Sequence, residues 1–444
     1  MKLSKLNIES FRHLENLDFD FTYPKDYKDA TKAGKPLNKI CFIGQSATGK
    51  TGLLELIYEY NLYLLTLETV DGKALTNNHR ESKNLFGEID FVTNKNIFKI
   101  KNDNIQFDNR ILNFENIGGS VSELISKNEK NSIIYFKSNL ISEKNILIFN
   151  ENPVDINEKF SEELKDLEHF FLKIDQLGIV FDDNVDFKIW LVLLKDILRY
   201  RKNFTQKMSE FIHQGLLANQ NKLSVEFEKW EKNNPNTLKL FASEFDKILE
   251  KLNLEVDLVD TNSVVPIKNK KNEEIIPFED TSTGTKCLFL TFFPLFQLNT
   301  KKSIILIDEP ERSLYPDIQM ELMEHYQNLA PEAQFIVATH SPFIAASFEP
   351  EERFILYFDE KRKVAVRRGS SPIGDDPNDM LYNDFGVNYY NKDVQKKFKQ
   401  YIALLDKVKS ENDKDLKKKY ILEASKIGNQ YNFILDEKNQ ERLK

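Results

Sequence analysis

The stretch "KICFIGQSATGKTGLLELIYEYNLYLL" (39–65) decides the fold. Its first six residues are a short apolar run that reads as a buried strand, and "KTGLLELIYEYNLYLL" (50–65) keeps apolar residues at helical spacing. Between them "GQSATGKT" (44–51) matches G-x-x-x-x-G-K-[ST] in full, in the strand-to-helix context that the pattern needs. Glycines let backbone N–H groups close around anionic oxygens, and the helix N-terminus adds partial positive charge. Gly44, Gln45, Ser46, Ala47, Thr48, Gly49, Lys50, Thr51 and Gly52 are therefore the expected nucleotide-binding residues. Lys50 is expected to reach the β- and γ-phosphates and Thr51 to bind Mg²⁺, which makes ATP and Mg²⁺ the expected cofactors.

Two later stretches supply groups that such a loop requires. "SIILIDEPE" (303–311) reads as a central strand with Asp308 and Glu309 at its end. Asp308 can hold Mg²⁺, and Glu309 can orient or deprotonate an attacking water. "FIVATHSPF" (335–343) is a further apolar strand, ending in His340, where an imidazole could contact the γ-phosphate. The other five histidines (His13, His79, His169, His213, His325) read as structural or surface residues. "EDTSTGTKCLFLTFF" (279–293), taken alone, is a polar cap on a buried helix.

Around these motifs the chain is organised in blocks. Residues 3–22 read as two strands with "RHLE" between them, and 86–114 as a small antiparallel sheet. "NSIIYFKSNL" (131–140) reads as another buried strand. Helical spacing dominates 160–174, 186–220 and 237–252, with "NNPN" (233–236) as a break. "VDLVD" (256–260) and "SVVPI" (263–267) read as strands, 317–329 as a helix and 353–368 as a basic hairpin. The expected domains are 1–150 (first part of a nucleotide-binding domain, with the phosphate loop), 151–255 (helical insert or short arm), 256–370 (second part of that domain) and 371–444 (helical tail, a candidate partner-binding region).

The 444 residues, 41% hydrophobic, suffice for a sizeable core. The longest apolar runs, "IWLVLL" (189–194) and "CLFLTFFPLF" (287–296), are too short to span a bilayer, and the alternating first 21 residues lack a signal-peptide core. Cys41 and Cys287 allow at most one disulfide, so a cytoplasmic protein without membrane contact is expected. A net charge of −8 argues against a uniformly nucleic-acid-coated surface. The local clusters "KNKKN" (268–272), "KRKVAVRR" (361–368) and "KKFK" (396–399) still admit nucleic acid or an acidic partner.

The ordered set "GQSATGKT", "TSTGTK" (281–286), "LIDEPE", "SLYPD" (313–317) and "ATHSP" resembles the head of the ABC ATPase class, in its SMC, Rad50 and RecF branch with the OLD-type ATPases. That resemblance covers 1–145 and about 256–370, and "LNIESFRHLENLDFDF" is similar to the N-terminal strand pair of the group. It implies an α/β fold: a P-loop ATPase head with a mixed sheet, flanking helices and an antiparallel β subdomain, carrying a helical insert and a helical C-terminal tail. It further implies that Lys50, Glu309 and His340 are catalytic, that Thr51 and Asp308 hold the metal, and that Arg12 and His13 lie near the nucleotide. Ser282, Gly284 and Lys286 would belong to a signature motif that meets the nucleotide of a partner copy, so a homodimer or higher homo-oligomer with composite sites is implied. Tyr315 stands where relatives often carry His, and "YFKSNL" (135–140) holds no Gln where a Q-loop is expected.

Within the branch, an insert of about 100 residues is too short for a coiled coil with a hinge. No carboxylate cluster of a Toprim nuclease follows His340. The chain is most similar to stand-alone ATPases of bacterial anti-phage systems of the Septu and PARIS types, which implies a separate effector, a nuclease or toxin. Alternatives that the residues leave open are a RecF-like DNA-repair ATPase, an ATP-dependent scaffold with little turnover and, least supported, a small-molecule kinase.

Overall fold

The computed structural model describes residues 1–66, 68–70, 73–75, 86–93, 96–101, 104–108, 110–111, 133–164, 178–374, 376–387, 391–431 and 433. Contacts divide the chain into two compact units, Met1–Gly369 and Ser370–Lys444.

In the first unit, β1 (Lys2–Phe11), β2 (Leu14–Asp20), β3 (Lys39–Gly44) and α1 (Lys50–Thr66) come first. A two-stranded pair, β4 (Glu68–Val70) and β5 (Lys73–Leu75), follows. Then come β6 (Phe86–Val92), β7 (Ile97–Lys101), β8 (Asn104–Phe107), β9 (Arg110–Ile111), β10 (Ile133–Phe136), α2 (Glu143–Asn150), α3 (Pro153–Lys159) and β11 (Ile179–Phe181). Helices α4 (Phe187–His213), α5 (Gln220–Asn233) and α6 (Thr237–Leu249) lead to a small sheet of β12 (Leu254–Val256), β13 (Ile267–Asn269) and β14 (Ile275–Ile276). The unit closes with α7 (Thr283–Gln297), β15 (Ile304–Asp308), α8 (Pro316–Leu329), β16 (Gln334–Thr339), α9 (Pro342–Ala345), β17 (Arg353–Phe358) and β18 (Val364–Arg368).

The central sheet has the order β11-β10-β15-β16-β3-β17-β18. All pairings are parallel except β17–β18. A parallel sheet is covered on both faces, and the period-2 alternation of side chains assigns each face. Ile40, Phe42, Ile133, Tyr135, Ile304, Leu306, Ile336, Ala338, Phe354 and Leu356 point into one core with α1 and β1. On the other face Phe136 stacks on Phe181, and rings of Phe149, Trp190, Phe241, Phe278, Phe289 and Phe293 continue the packing through α2, α4, α6 and α7. An antiparallel sheet, β2-β1-β6-β7-β8-β9, carries Leu3, Leu6, Ile8, Phe91, Phe98 and Ile100 against α1. The fold is thus α/β with a mixed central sheet. Segment 86–107 joins β1 rather than standing alone, and 112–114 lie outside the described residues.

Three local expectations need correction or restriction. The helix over 186–220 ends at His213, because Gly215 adopts φ 68 and turns the chain into α5. Helix α5 then folds back on α4 through Tyr200, Phe204, Phe227 and Trp230. "VDLVD" keeps only Val256 in a strand and "SVVPI" only Ile267, since the Asp257 carboxylate takes the backbone N–H of Val259 and Asp260 at 2.8 and 2.6 Å and closes a turn between them. The helix expected over 160–174 falls largely on residues outside the described set.

The described residues of the second unit form three helices, α10 (Pro377–Asn383), α11 (Lys392–Ser410) and α12 (Lys414–Tyr431). Its core is Phe398, Tyr401, Ala424 and Phe433, with Gly428 lying under the Tyr401 ring. Among the described residues no helix is long and apolar enough to cross a membrane, and both cysteines are free and buried.

Candidate functional site

The register of the central sheet brings the three sequence motifs to one edge. Asp308 lies opposite Ala338, and Thr339 opposite Ile43, so the ends of β3, β15 and β16 adjoin. In open parallel sheets this carboxyl edge is where ligands bind. Gly44 ends β3 where any Cβ would lie 2.3 Å from the Leu356 carbonyl oxygen of β17. Gly49 has φ 93, and a Cβ there would meet Leu14 Cδ2 at 2.9 Å and His13 Nε2 at 3.1 Å. The β1–β2 turn therefore lies directly over the loop. Its Arg12, at φ 56, pairs through Nη1 with Glu55 Oε2 of α1 at 2.7 Å. Gly44→Ala is expected to lower unfolding stability by about 1–3 kcal/mol, the cost of overpacking against a backbone that cannot rotate away. Chemical denaturation checks this: an unchanged midpoint would mean that β3 and β17 can part.

Lys50 is buried, and its Nζ donates to the carbonyls of Gly44 (2.9 Å) and Gln45 (3.0 Å). Burial pushes this ammonium down to about 8, against the opposing pull of Asp308, Glu309 and Glu311. Thr51 Oγ1 donates to Asp308 Oδ2 at 2.9 Å, with Oδ1 at 3.2 Å. Burial lifts the Asp308 carboxyl to about 6, with the Thr51 hydrogen bond opposing and the neighbouring Glu309 and Glu311 charges adding to the rise. A hydroxyl and a carboxylate at 2.9 Å form a hard-oxygen pair of the kind that would suit Mg²⁺. Among the described residues no three His, Cys, Asp or Glu side chains form a metal group by themselves.

Beyond Asp308 the chain turns sharply. Glu309 adopts φ 51 and its N–H donates to Ala338 O at 2.9 Å. This leaves its carboxylate 41% exposed, with Oε1 4.0 Å from His340 Nε2. Partial burial and the nearby Lys50 charge lower the His340 pKa, so the imidazole is neutral near pH 7. Glu311 went unnoticed in the sequence. Its side chain is partly buried, its Oε1 accepts the His340 N–H at 2.8 Å, and its Oε2 is buried with no hydrogen-bond partner. Burial raises its pKa, countered by the His340 and Thr339 hydrogen bonds. The signal was a second carboxylate two residues after Glu309 across a proline, in a turn too short to belong to a helix face. Tyr135 was also passed over. It is buried beside this group with its hydroxyl unpartnered, and burial followed by the Asp308 and Glu55 charges raises its pKa.

Residues 281–286 occupy the start of α7. Ser282 is the helix N-cap: its Oγ accepts the Thr285 N–H at 3.1 Å and lies 2.8 Å from Thr285 Oγ1. Gly284 is buried where a Cβ would come within 2.4 Å of Ser313 O, so α7 rests on the "SLYPD" turn. Lys286 Nζ donates to Glu279 O at 2.6 Å. No hydrogen bond or ion pair among the described residues joins Ser282, Gly284 or Lys286 to the Lys50–Asp308 group.

The family model described as "AAA domain, putative AbiEii toxin, Type IV TA system" matches residues 40–346. The chain belongs to this AAA_21 family. It is accordingly an ATPase. A relative in Vibrio cholerae serotype O1 biovar El Tor, "Retron Vc95 probable ATPase", is 23% identical over 397 residues, covering 80% of this chain and 76% of the relative. An uncharacterised protein of Methanocaldococcus jannaschii is 23% identical over 155 residues, covering 31% of this chain and 39% of its own length. Among solved structures, an SMC head bound to the C-terminal winged-helix domain of ScpA superposes with a TM-score of 0.39 at 13% identity, covering 83% of this chain and 98% of the other. The SMC head domain from Thermotoga maritima gives 0.37 at 10% identity, with 84% and 100% covered.

Proposed function

We propose that this AAA_21 ATPase hydrolyses ATP at the β3–β15–β16 edge in an ATP-driven assembly of its own copies, and that the assembly controls a separate effector in defence against phage. The observation that carries the first half is the convergence of Lys50, the Thr51–Asp308 pair and the Glu309–His340 pair on one sheet edge. Lys50 would exchange the Gly44 and Gln45 carbonyls for phosphate oxygens, leaving the loop N–H groups to complete the cradle. Thr51 and Asp308 would hold Mg²⁺, which supplies charge neutralisation at the phosphates when bound. Glu309, exposed and beside a neutral His340, would take the proton of the attacking water. Glu311 would act only by fixing the His340 backbone. Arg12 and His13 would close the loop from above, beside Gly49 and Gly52.

Ser282, the Gly284 backbone and Lys286 would serve a second copy's nucleotide, which is consistent with the absence, among the described residues, of a hydrogen bond or ion pair from them to the Lys50 group. The relative with the printed name "Retron Vc95 probable ATPase" supports the defence assignment. Mass measurement of the full chain with ATP and Mg²⁺ tests the assembly. A nucleotide-dependent dimer or larger species is expected, whereas a monomer with and without ATP would refute the two-copy site. ATP turnover stimulated by duplex DNA, with no effector retained on co-purification, would favour repair over defence.

A further inference from the structure

The ends of the central strands opposite the nucleotide edge carry a second concavity, a cavity of about 670 Å³. Its wall is built from the start of β1, the end of β6, the loop before β3 and the turns that lead into β15 and β16. Because β3 enters here and leaves at Gly44, six residues of strand, about 17 Å, separate the cavity from the phosphate loop. Lys2, Lys32, Lys35 and Lys302 line it, and Glu332 is the carboxylate among its described lining residues. Glu332 lies 3.6 Å from Lys301, which is not part of the wall.

Lys2, Lys32 and Lys35 are not explained as members of ion pairs among the described residues. Lys2 Nζ donates to a neutral group, Asn38 Oδ1. Lys32 Nζ sits 5.7 Å from the centroid of the Tyr23 ring. No described carboxylate forms a salt bridge with Lys2, Lys32 or Lys35. Asp29, on the same loop, has its Oδ1 engaged by the Thr31 N–H and hydroxyl at 2.9 and 2.6 Å. Burial and the Lys32 charge both depress the Lys2 pKa, so the concavity holds cations that repel one another. A chain of net charge −8 brings Lys2, Lys32 and Lys35 to a hollow with one acidic group among its described lining residues, a combination that an anion would relieve.

We infer that this cavity is a second ligand site, for a small polyphosphorylated anion of nucleotide size. Its volume lies in the range of small-molecule pockets, about 300–1,000 Å³. Ammonium groups on flexible stems bind phosphates as point charges without demanding one geometry. The site does not depend on the assignment of the nucleotide edge. An edge-disabled variant, Lys50→Ala, therefore separates the two.

Calorimetric titration of the full-length Lys50→Ala protein with inorganic tripolyphosphate at low salt is the test. One equivalent is expected to bind, with affinity falling as salt rises. Lys2→Gln/Lys32→Gln in that background should weaken binding at least about tenfold, since two charge-assisted contacts are removed. A charge-matched control on the α4–α5 arm, Lys207→Gln/Lys229→Gln, should not. If thermal melting shows that Lys2→Gln disturbs folding, Lys32→Gln/Lys35→Gln gives the same reading from the loop alone. Absence of binding in Lys50→Ala would overturn the inference, as would equal weakening by the control pair. Binding of a ten-nucleotide single strand where tripolyphosphate fails to bind would overturn it in favour of a nucleic-acid groove. Two equivalents in both wild type and Lys50→Ala would instead count against the nucleotide-edge assignment and leave the cavity standing.

Discussion

Glu309→Gln is expected to lower kcat for ATP hydrolysis by about 10²–10⁴-fold, the usual contribution of a positioned general base. ATP affinity should stay within a few-fold of wild type. The reason lies in the turn after β15. A left-handed φ of 51, held by the N–H bond to Ala338 O, projects the carboxylate away from the sheet, where it stays 41% exposed and free to meet water. Glutamine fills the same space and keeps hydrogen-bonding capacity but cannot accept a proton. Glu311 is the rival base, and its geometry argues against it: one oxygen is committed to the His340 N–H and the side chain is partly buried. Phosphate release at saturating ATP decides between them. Turnover within threefold of wild type would remove Glu309 from the chemistry and pass the role to Glu311, or leave a scaffold that scarcely turns over. In a two-copy site the variant should also accumulate the ATP-bound assembly, because closure would no longer be undone by hydrolysis.

What was legible in the sequence follows from how local each determinant is. "GQSATGKT" carries its own context, since strand, loop and helix are contiguous, and its glycines answer to close approaches that the structure displays. "SIILIDEPE" and "QFIVATHSP" were readable as strands because a parallel sheet buried on both faces writes an unbroken apolar run. The sheet order was not readable. It sets β16 between β15 and β3, strands separated by hundreds of residues, and no local pattern encodes such a pairing. Glu311 was missed for the same reason, because its role appears only once β15 and β16 lie side by side. "SVVPI" misled because Val264 and Val265 are indeed buried, but in a loop held by Arg201, whose guanidinium reaches the carbonyls of Asp260 and Val264. Apolar content reported burial faithfully there and backbone conformation wrongly.

Ser282→Asp is expected to separate a helix cap from a catalytic contact. Among the described residues of one chain, the Ser282 side chain bonds only as a cap: its Oγ accepts the Thr285 N–H at the start of α7. Aspartate caps as well as serine, and its charge is favourable at a helix N-terminus, so the variant should melt within about 2 °C of wild type. Ser282→Ala, by contrast, loses the cap and should cost about 1 kcal/mol. If Ser282 faces a phosphate held by a second copy, the aspartate brings a like charge to that phosphate. At about 4 Å and an effective dielectric of about 20, one such pair costs about 4 kcal/mol. ATP-driven association and turnover should then fall on the order of 10²–10³-fold, with ATP binding by the monomer unchanged. Mass measurement with ATP and a steady-state assay read the two quantities separately. A stable Ser282→Asp protein that still assembles and hydrolyses ATP would reduce "TSTGTK" to the cap of a buried helix. Loss of ATP binding by the monomer would show instead that the residue serves its own chain's nucleotide. Only a variant that folds, binds ATP and fails to assemble places Ser282 across a boundary between two copies, because a cap and a same-chain ligand each lose something else first.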